Sequence, residues 1–74
     1  MRVRFVVTCT DTGTPLTDER HDMPESPLVG DVVERVAIDG YRAPVVAQRR
    51  WAGTGAAIEL VAVCWAGPAR AVQP

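Results

Sequence analysis

Hydrophobic and polar positions alternate over the first ten residues, with the period of two expected of a half-buried β-strand. One side of this strand carries Met1, Val3, Phe5, Val7 and Cys9, and the other carries Arg2, Arg4, Val6, Thr8 and Thr10. The turn-forming residues Asp11-Thr12-Gly13 follow. Residues 16–23 are charged on both alternating faces, which is typical of an edge strand. The pattern predicts a hairpin whose second strand lies at the edge of a sheet.

The segment from Leu28 to Ile38 fits two structures. Its apolar positions are spaced as on one face of a helix, with Ser26 as the N-cap and Pro27 in the first turn. An internal Gly30 and four valines favour a strand instead. We expect a strand here, with one short helix near 28–38 as the alternative.

Two further strands are predicted in the second half of the chain. Asp39-Gly40 is a two-residue hairpin signal, and the strand after Pro44 is best defined at 45–51, because proline cannot donate to a sheet ladder. Gly53-Thr54-Gly55 supplies the next turn, and 56–65 forms the last strand. We expect one domain over 1–67 and a loose tail over 68–74.

The last strand is apolar on both faces. Ala56, Ile58, Leu60, Ala62 and Cys64 share one face, and Val61, Val63 and Trp65 share the other. Strands of this kind are normally covered on both sides. One small sheet has a single core to cover, so we expect the second face, joined by Val6, to bind a protein partner or another copy of the chain.

Together these elements predict an all-β fold, in which a small antiparallel meander of four or five strands forms a bent sheet or a barrel. The residues Pro27-Leu28-Val29-Gly30-Asp31-Val32-Val33, then Asp39-Gly40-Tyr41 and Arg50-Trp51, resemble small SH3-like β-barrel proteins of phages and GC-rich bacteria. The resemblance covers 27–65. It implies the barrel fold and no particular function, because such barrels host many activities.

Composition and charge limit the classes of function. With 74 residues, 47% of them hydrophobic, the chain is one small folded domain. All eight basic residues are arginine and there is no Lys or Asn, which indicates a GC-rich bacterium, or a phage or mobile element of one. The net charge is −1, yet residues 11–39 sum to −6 while both flanking regions are positive. A folded molecule should therefore show one acidic and one basic region.

The sequence offers no pattern typical of catalysis. The only histidine, His21, lies in the predicted edge strand, and two lone cysteines, Cys9 and Cys64, do not match the spacing of a zinc site. No phosphate-binding glycine loop is present. We expect no enzyme activity, no cofactor and no metal. Since neither a signal peptide nor a membrane-spanning run is recognisable, we expect a cytoplasmic protein with reduced, buried thiols.

Two binding hypotheses remain. The first is a non-enzymatic protein-interaction module that uses the face of Val6, Val61, Val63 and Trp65. The alternative is a nucleic-acid-binding barrel, in which guanidinium groups and aromatic rings contact phosphates and stack on bases. Its candidate residues are Tyr41, Arg42, Arg49, Arg50 and Trp51. The near-neutral total charge favours the first hypothesis, because nucleic-acid-binding domains usually carry a clear basic surplus.

Overall fold

The computed structural model describes residues 1–69, and strands form nearly all of its regular secondary structure. Four strands are present: β1 (Arg2–Cys9), β2 (Pro15–Asp22), β3 (Val45–Ala52) and β4 (Glu59–Ala66). A single 3-10 turn at Gly55–Ala57 precedes β4. The prediction of a mainly β domain is confirmed. The last strand begins three residues later than predicted, because Ala56 and Ala57 belong to the 3-10 turn.

The strands form one sheet in the order β2-β1-β4-β3. Each hairpin is antiparallel, but β1 and β4 pair in parallel, with Val3 opposite Leu60 and Cys9 opposite Ala66. The prediction of a wholly antiparallel meander is therefore wrong, and the sheet is open rather than closed into a barrel. The two strands richest in apolar residues lie in the middle of the sheet, where burial is greatest. The charged β2 and the arginine-bearing β3 form its edges.

Short turns close both hairpins where the sequence predicts them. Between β1 and β2, the Gly13 N–H donates to the Cys9 carbonyl at 2.9 Å. Between β3 and β4, Gly53 has φ of 96°, and a Cβ at this position would lie 2.4 Å from the Ala57 carbonyl oxygen. Only glycine fits there, because both the backbone conformation and the space exclude a side chain.

Residues 23–44, the covering segment, form neither the expected strand nor the alternative helix. Gly30 has φ of 96°, and the Asp31 carboxylate accepts a hydrogen bond from the Leu28 N–H at 2.9 Å, so a tight turn interrupts the segment. One isolated bridge joins Val32 to Val45. Asp39-Gly40 does form a turn, but no strand precedes it and no hairpin results.

The covering segment supplies the second layer of the protein. On the sheet, the core consists of Val3, Phe5, Val7, Val46, Leu60, Ala62, Cys64 and Ala66. Val33 and Val36 from the covering segment are buried against them, and Leu16, Met23, Ile38 and Tyr41 pack around the margin. The last strand therefore faces the core with Leu60, Ala62 and Cys64. The second face, to which partner binding was assigned, is the opposite one.

The described chain ends beside the turn at Gly40. Pro68 forms a bridge with Tyr41, and the Ala69 N–H donates to the Gly40 carbonyl at 2.9 Å. The remainder of the predicted tail, 70–74, lies outside the described residues. Within residues 1–69, no helix has the length and apolar character needed to cross a membrane.

Candidate interaction surface

The covering segment lies on one face of the sheet, and the opposite face, here called the open face, carries an apolar patch. Residues directly opposite each other on neighbouring strands share a face. Val6 is paired with Val63, Trp65 with Val45, and Val45 in turn with Val32 of the covering segment. These five residues, the apolar patch, extend from β1 to the outer edge of β3.

Side chains of the apolar patch remain accessible in the folded protein. Trp65 and Val45 are each 40% exposed and Val32 is 58% exposed, while Val6 and Val63 are half-buried. Of the four residues predicted from the sequence, three therefore contribute accessible surface. The fourth, Val61, lies on the same face but is fully buried.

The burial of Val61 has a local cause. Its neighbours in register are Arg4 on β1 and Arg50 on β3, and long arginine side chains cover apolar surface with their methylene groups. Val61 also lies outside the core cluster. Val61 is buried beneath neighbouring side chains of the open face and is not available to a partner.

The other half of the open face is charged. The Arg4 Nε donates to the Asp18 carboxylate at 2.8 Å, and Arg20 forms two hydrogen bonds with Glu59 at 3.0 and 2.9 Å. The second pair spans β1 and ties the edge strand β2 to β4. These hydrogen bonds lower the pKa of Asp18 and the pKa of Glu59 below their ordinary values.

Residues predicted for nucleic-acid binding do not form one cluster. Trp51 is opposite Leu60 at the start of β4, whereas the Arg42 N–H donates to the Gly67 carbonyl beyond its end. Seven residues of extended chain separate these positions, a span of about 23 Å. The neighbouring Arg49 and Arg50 project from opposite faces of the sheet, because they are opposite Ala62 and Val61.

His21 lies half-buried on the core side of β2, where it forms a structural contact. Its Nε2 is 2.7 Å from a Glu19 carboxylate oxygen, and its ring lies 5.9 Å from that of Phe5. The hydrogen bond with His21 lowers the pKa of Glu19. The sequence placed His21 on an exposed edge, and the edge position holds, but the ring also covers the margin of the core.

Both cysteines are buried free thiols on the core side of the two central strands. Burial raises the pKa of Cys64 to about 11, which disfavours the thiolate. Cys9 lies six residues along β1 from Val3, the partner of His21, and Cys64 is opposite Val7, four residues from Val3, so neither thiol lies beside His21. Among residues 1–69, no three potential metal-ligating side chains come together.

Sequence reasoning missed Val32 and Val45 as members of the apolar patch. Val45 was assigned to a strand, but its neighbour Trp65 is known only once the register of β3 on β4 is known. Val32 reaches the same row through an isolated bridge from an irregular segment. Alternation within one strand carries no signal for either contact.

Comparison with known proteins reveals no relative of this protein from which a function could be inferred. No protein family matches the sequence, and no curated protein or solved structure shows significant similarity to it. Inference about function therefore depends on the surfaces described above.

Proposed function

We propose that this protein is a non-enzymatic interaction module that self-associates through the apolar patch of its open face. The observation that carries the proposal is Trp65, a large aromatic residue that is 40% exposed on the central strand β4, with Val45 and Val63 beside it. Aromatic side chains in such positions are typical energetic anchors of protein interfaces, because they bury a large area with little loss of side-chain entropy.

A second copy of the chain suits this face electrostatically. The open face carries four arginines, Arg2, Arg4, Arg20 and Arg50, and three acids, Asp18, Asp22 and Glu59. This face, with a net charge of +1, gains little from a partner with a strong net charge, whereas two copies related by a two-fold axis meet with only weak repulsion.

The size of the face predicts a weak dimer. Four strands of eight residues give a face of about 19 by 26 Å, or roughly 500 Å² per copy. Two such faces in contact bury on the order of 1,000 Å², the lower end of specific interfaces. We therefore expect a concentration-dependent equilibrium between monomer and dimer.

Sedimentation or light scattering at increasing protein concentration tests the proposal. The wild type should dimerise, whereas Val63→Glu and Trp65→Ser should remain monomeric while keeping a β-type circular dichroism spectrum. Val29→Glu is the matched control, because Val29 is 61% exposed and lies outside the apolar patch. A wild type that stays monomeric at millimolar concentration, or patch variants that dimerise as the control does, would contradict the proposal.

A further inference from the structure

The two edges of the sheet are protected to different extents. Both faces of β2 carry charged or titratable side chains from Asp18 to Asp22, which discourages pairing with another strand. At the start of β3, Gly30 and Asp31 of the covering segment close the edge through two hydrogen bonds with Val46, of 2.8 and 2.9 Å. Beyond that point, within residues 1–69, the backbone of 48–52 hydrogen-bonds only with β4. The second half of the β3 edge is thus open.

Exposed apolar side chains lie at the end of the sheet where this open edge finishes. Trp51 is 62% exposed, and Met1 and Ile58, at 50% and 52%, line the same shallow hollow with it. This group lies at the opposite end of β4 from Trp65 and is separate from the apolar patch. Trp51 is the member of this group on β3, so it provides an anchor point for a chain that pairs with the unpaired backbone of that strand.

Positive charge flanks the same edge on both sides of the sheet. The Arg50 guanidinium lies on the open face and makes no hydrogen bond with any described side chain. Arg49 lies on the core side, where its Nη2 donates to the Ser26 hydroxyl at 2.7 Å. Arg2 also lines the hollow, and the nearby Glu59 is already paired with Arg20.

We propose that the open edge of β3 accepts an extended acidic segment of a partner protein as a fifth strand. The segment's backbone would pair with residues 48–52, its acidic side chains would face Arg49 and Arg50, and Trp51 would cover an apolar residue. Consecutive residues of a strand point to opposite faces, so two adjacent acids match two arginines that also point to opposite faces. This partner site uses none of the five residues of the apolar patch, although Arg50 also lies on the open face.

A single nucleic-acid strand matches the same site less well. Its phosphates are also negative and its bases stack on tryptophan, but it does not form β-ladder hydrogen bonds with the backbone N–H and C=O groups of the edge. It would also have to contact cations on both faces of the sheet at once. The geometry therefore favours a peptide, and an oligonucleotide serves as the competing probe.

Titration followed by amide NMR tests the proposal. The probe is a capped octapeptide of alternating Thr and Val with two adjacent Glu at its centre, and its control carries two Lys instead. The acidic peptide should shift and protect the amides of 48–52, with millimolar or tighter affinity that weakens as salt rises. The Lys peptide should bind at least tenfold more weakly.

Matched charge reversals distinguish a local site from general attraction. Arg50→Glu should weaken the acidic peptide about tenfold, as expected when a charge-assisted contact is replaced by repulsion. Arg42→Glu changes the net charge equally at a distant position and should alter the affinity less than twofold. Trp51→Ala should also weaken binding, without unfolding, since this side chain is mostly exposed.

Three results would overturn the proposal. They are the absence of acidic-peptide binding at several millimolar, an equal loss in Arg42→Glu and Arg50→Glu, and tighter binding of a ten-nucleotide oligo(dT) than of the peptide. The patch variant Trp65→Ser should bind the peptide normally. The experiments therefore distinguish failure of dimerisation from failure of edge binding.

Discussion

The two faces of this sheet are built from the same four strands but are held by different forces. On the core face, β1 and β4 bury a continuous apolar surface under the covering segment, and polar groups such as Glu19 and His21 appear only at the margin. On the open face, one ion pair links β1 with β2 and a second links β2 with β4 across β1, while the apolar patch lies at the other end. Apart from Val61, the side chains of the open face remain accessible to water.

The difference between the faces originates in β4. Strand β1 mixes Arg2, Arg4 and Thr8 into its outer face, and β2 is charged there at Asp18, Arg20 and Asp22. In β4, by contrast, Val61, Val63 and Trp65 make the outer face nearly as apolar as the inner one. A sheet with a single core thus keeps a second apolar surface, and the free energy of folding should come almost wholly from the first.

The largest expected effect is therefore on the core face. Phe5→Ala removes a fully buried ring from the central strand, which typically costs about 3 to 5 kcal/mol. That loss is a large share of the stability expected of a chain this short, about 4 to 11 kcal/mol. Urea denaturation followed by circular dichroism should show the largest fall in midpoint of any variant proposed for this protein.

Val45→Ala, on the open face, is the control for this experiment. Val45 is 40% exposed, and its truncation should cost less than about 1 kcal/mol. Similar losses for the two variants would mean that the open face contributes to the core.

The next effect concerns the covering segment. Val36 is 1% exposed and packs on the sheet from a stretch without regular secondary structure. If that stretch is the second layer, Val36→Ala should lower the free energy of unfolding by about 2 kcal/mol. Val29→Ala, in the same segment but exposed, should change it by less than about 0.5 kcal/mol. Equal effects in the urea midpoint would show that the segment does not cover the core.

The sequence predicts the strands well because each carries its own signal. Alternation locates β1, charge on both faces identifies β2 as an edge, and Gly53 marks the last hairpin. Topology follows a different rule. Strand β1 pairs with β4 as well as with β2, and this choice depends on the burial available to the whole sheet, about which alternation carries no information.

Neither the helical nor the strand periodicity predicts the structure of the covering segment. Its buried valines, Val33 and Val36, are three residues apart, as in a helix, yet Gly30 and the turn around Asp31 prevent a continuous one. Tertiary contact with the sheet determines its path, and local propensity is overridden. The face of the candidate site was predictable from β4 alone, whereas the contributions of Val32 and Val45 required the register between strands.

The smallest expected effect on stability concerns the charged half of the open face, where the Arg20–Glu59 pair is exposed to solvent and salt. Its hydrogen bond lowers the pKa of Glu59 in the folded state, so ionised Glu59 stabilises the fold. This contribution is fully present above the ordinary carboxylate value near pH 4 and is lost as the pH falls through the lowered pKa. The urea midpoint should therefore decline on acidification, and slightly less steeply in Glu59→Gln and Arg20→Gln, each of which removes the pair.

The double variant should add nothing to either single change, because both disrupt one interaction. A steeper decline in Glu59→Gln than in the wild type would show that ionised Glu59 opposes folding. The ion pair would then connect β2 with β4 without stabilising the fold.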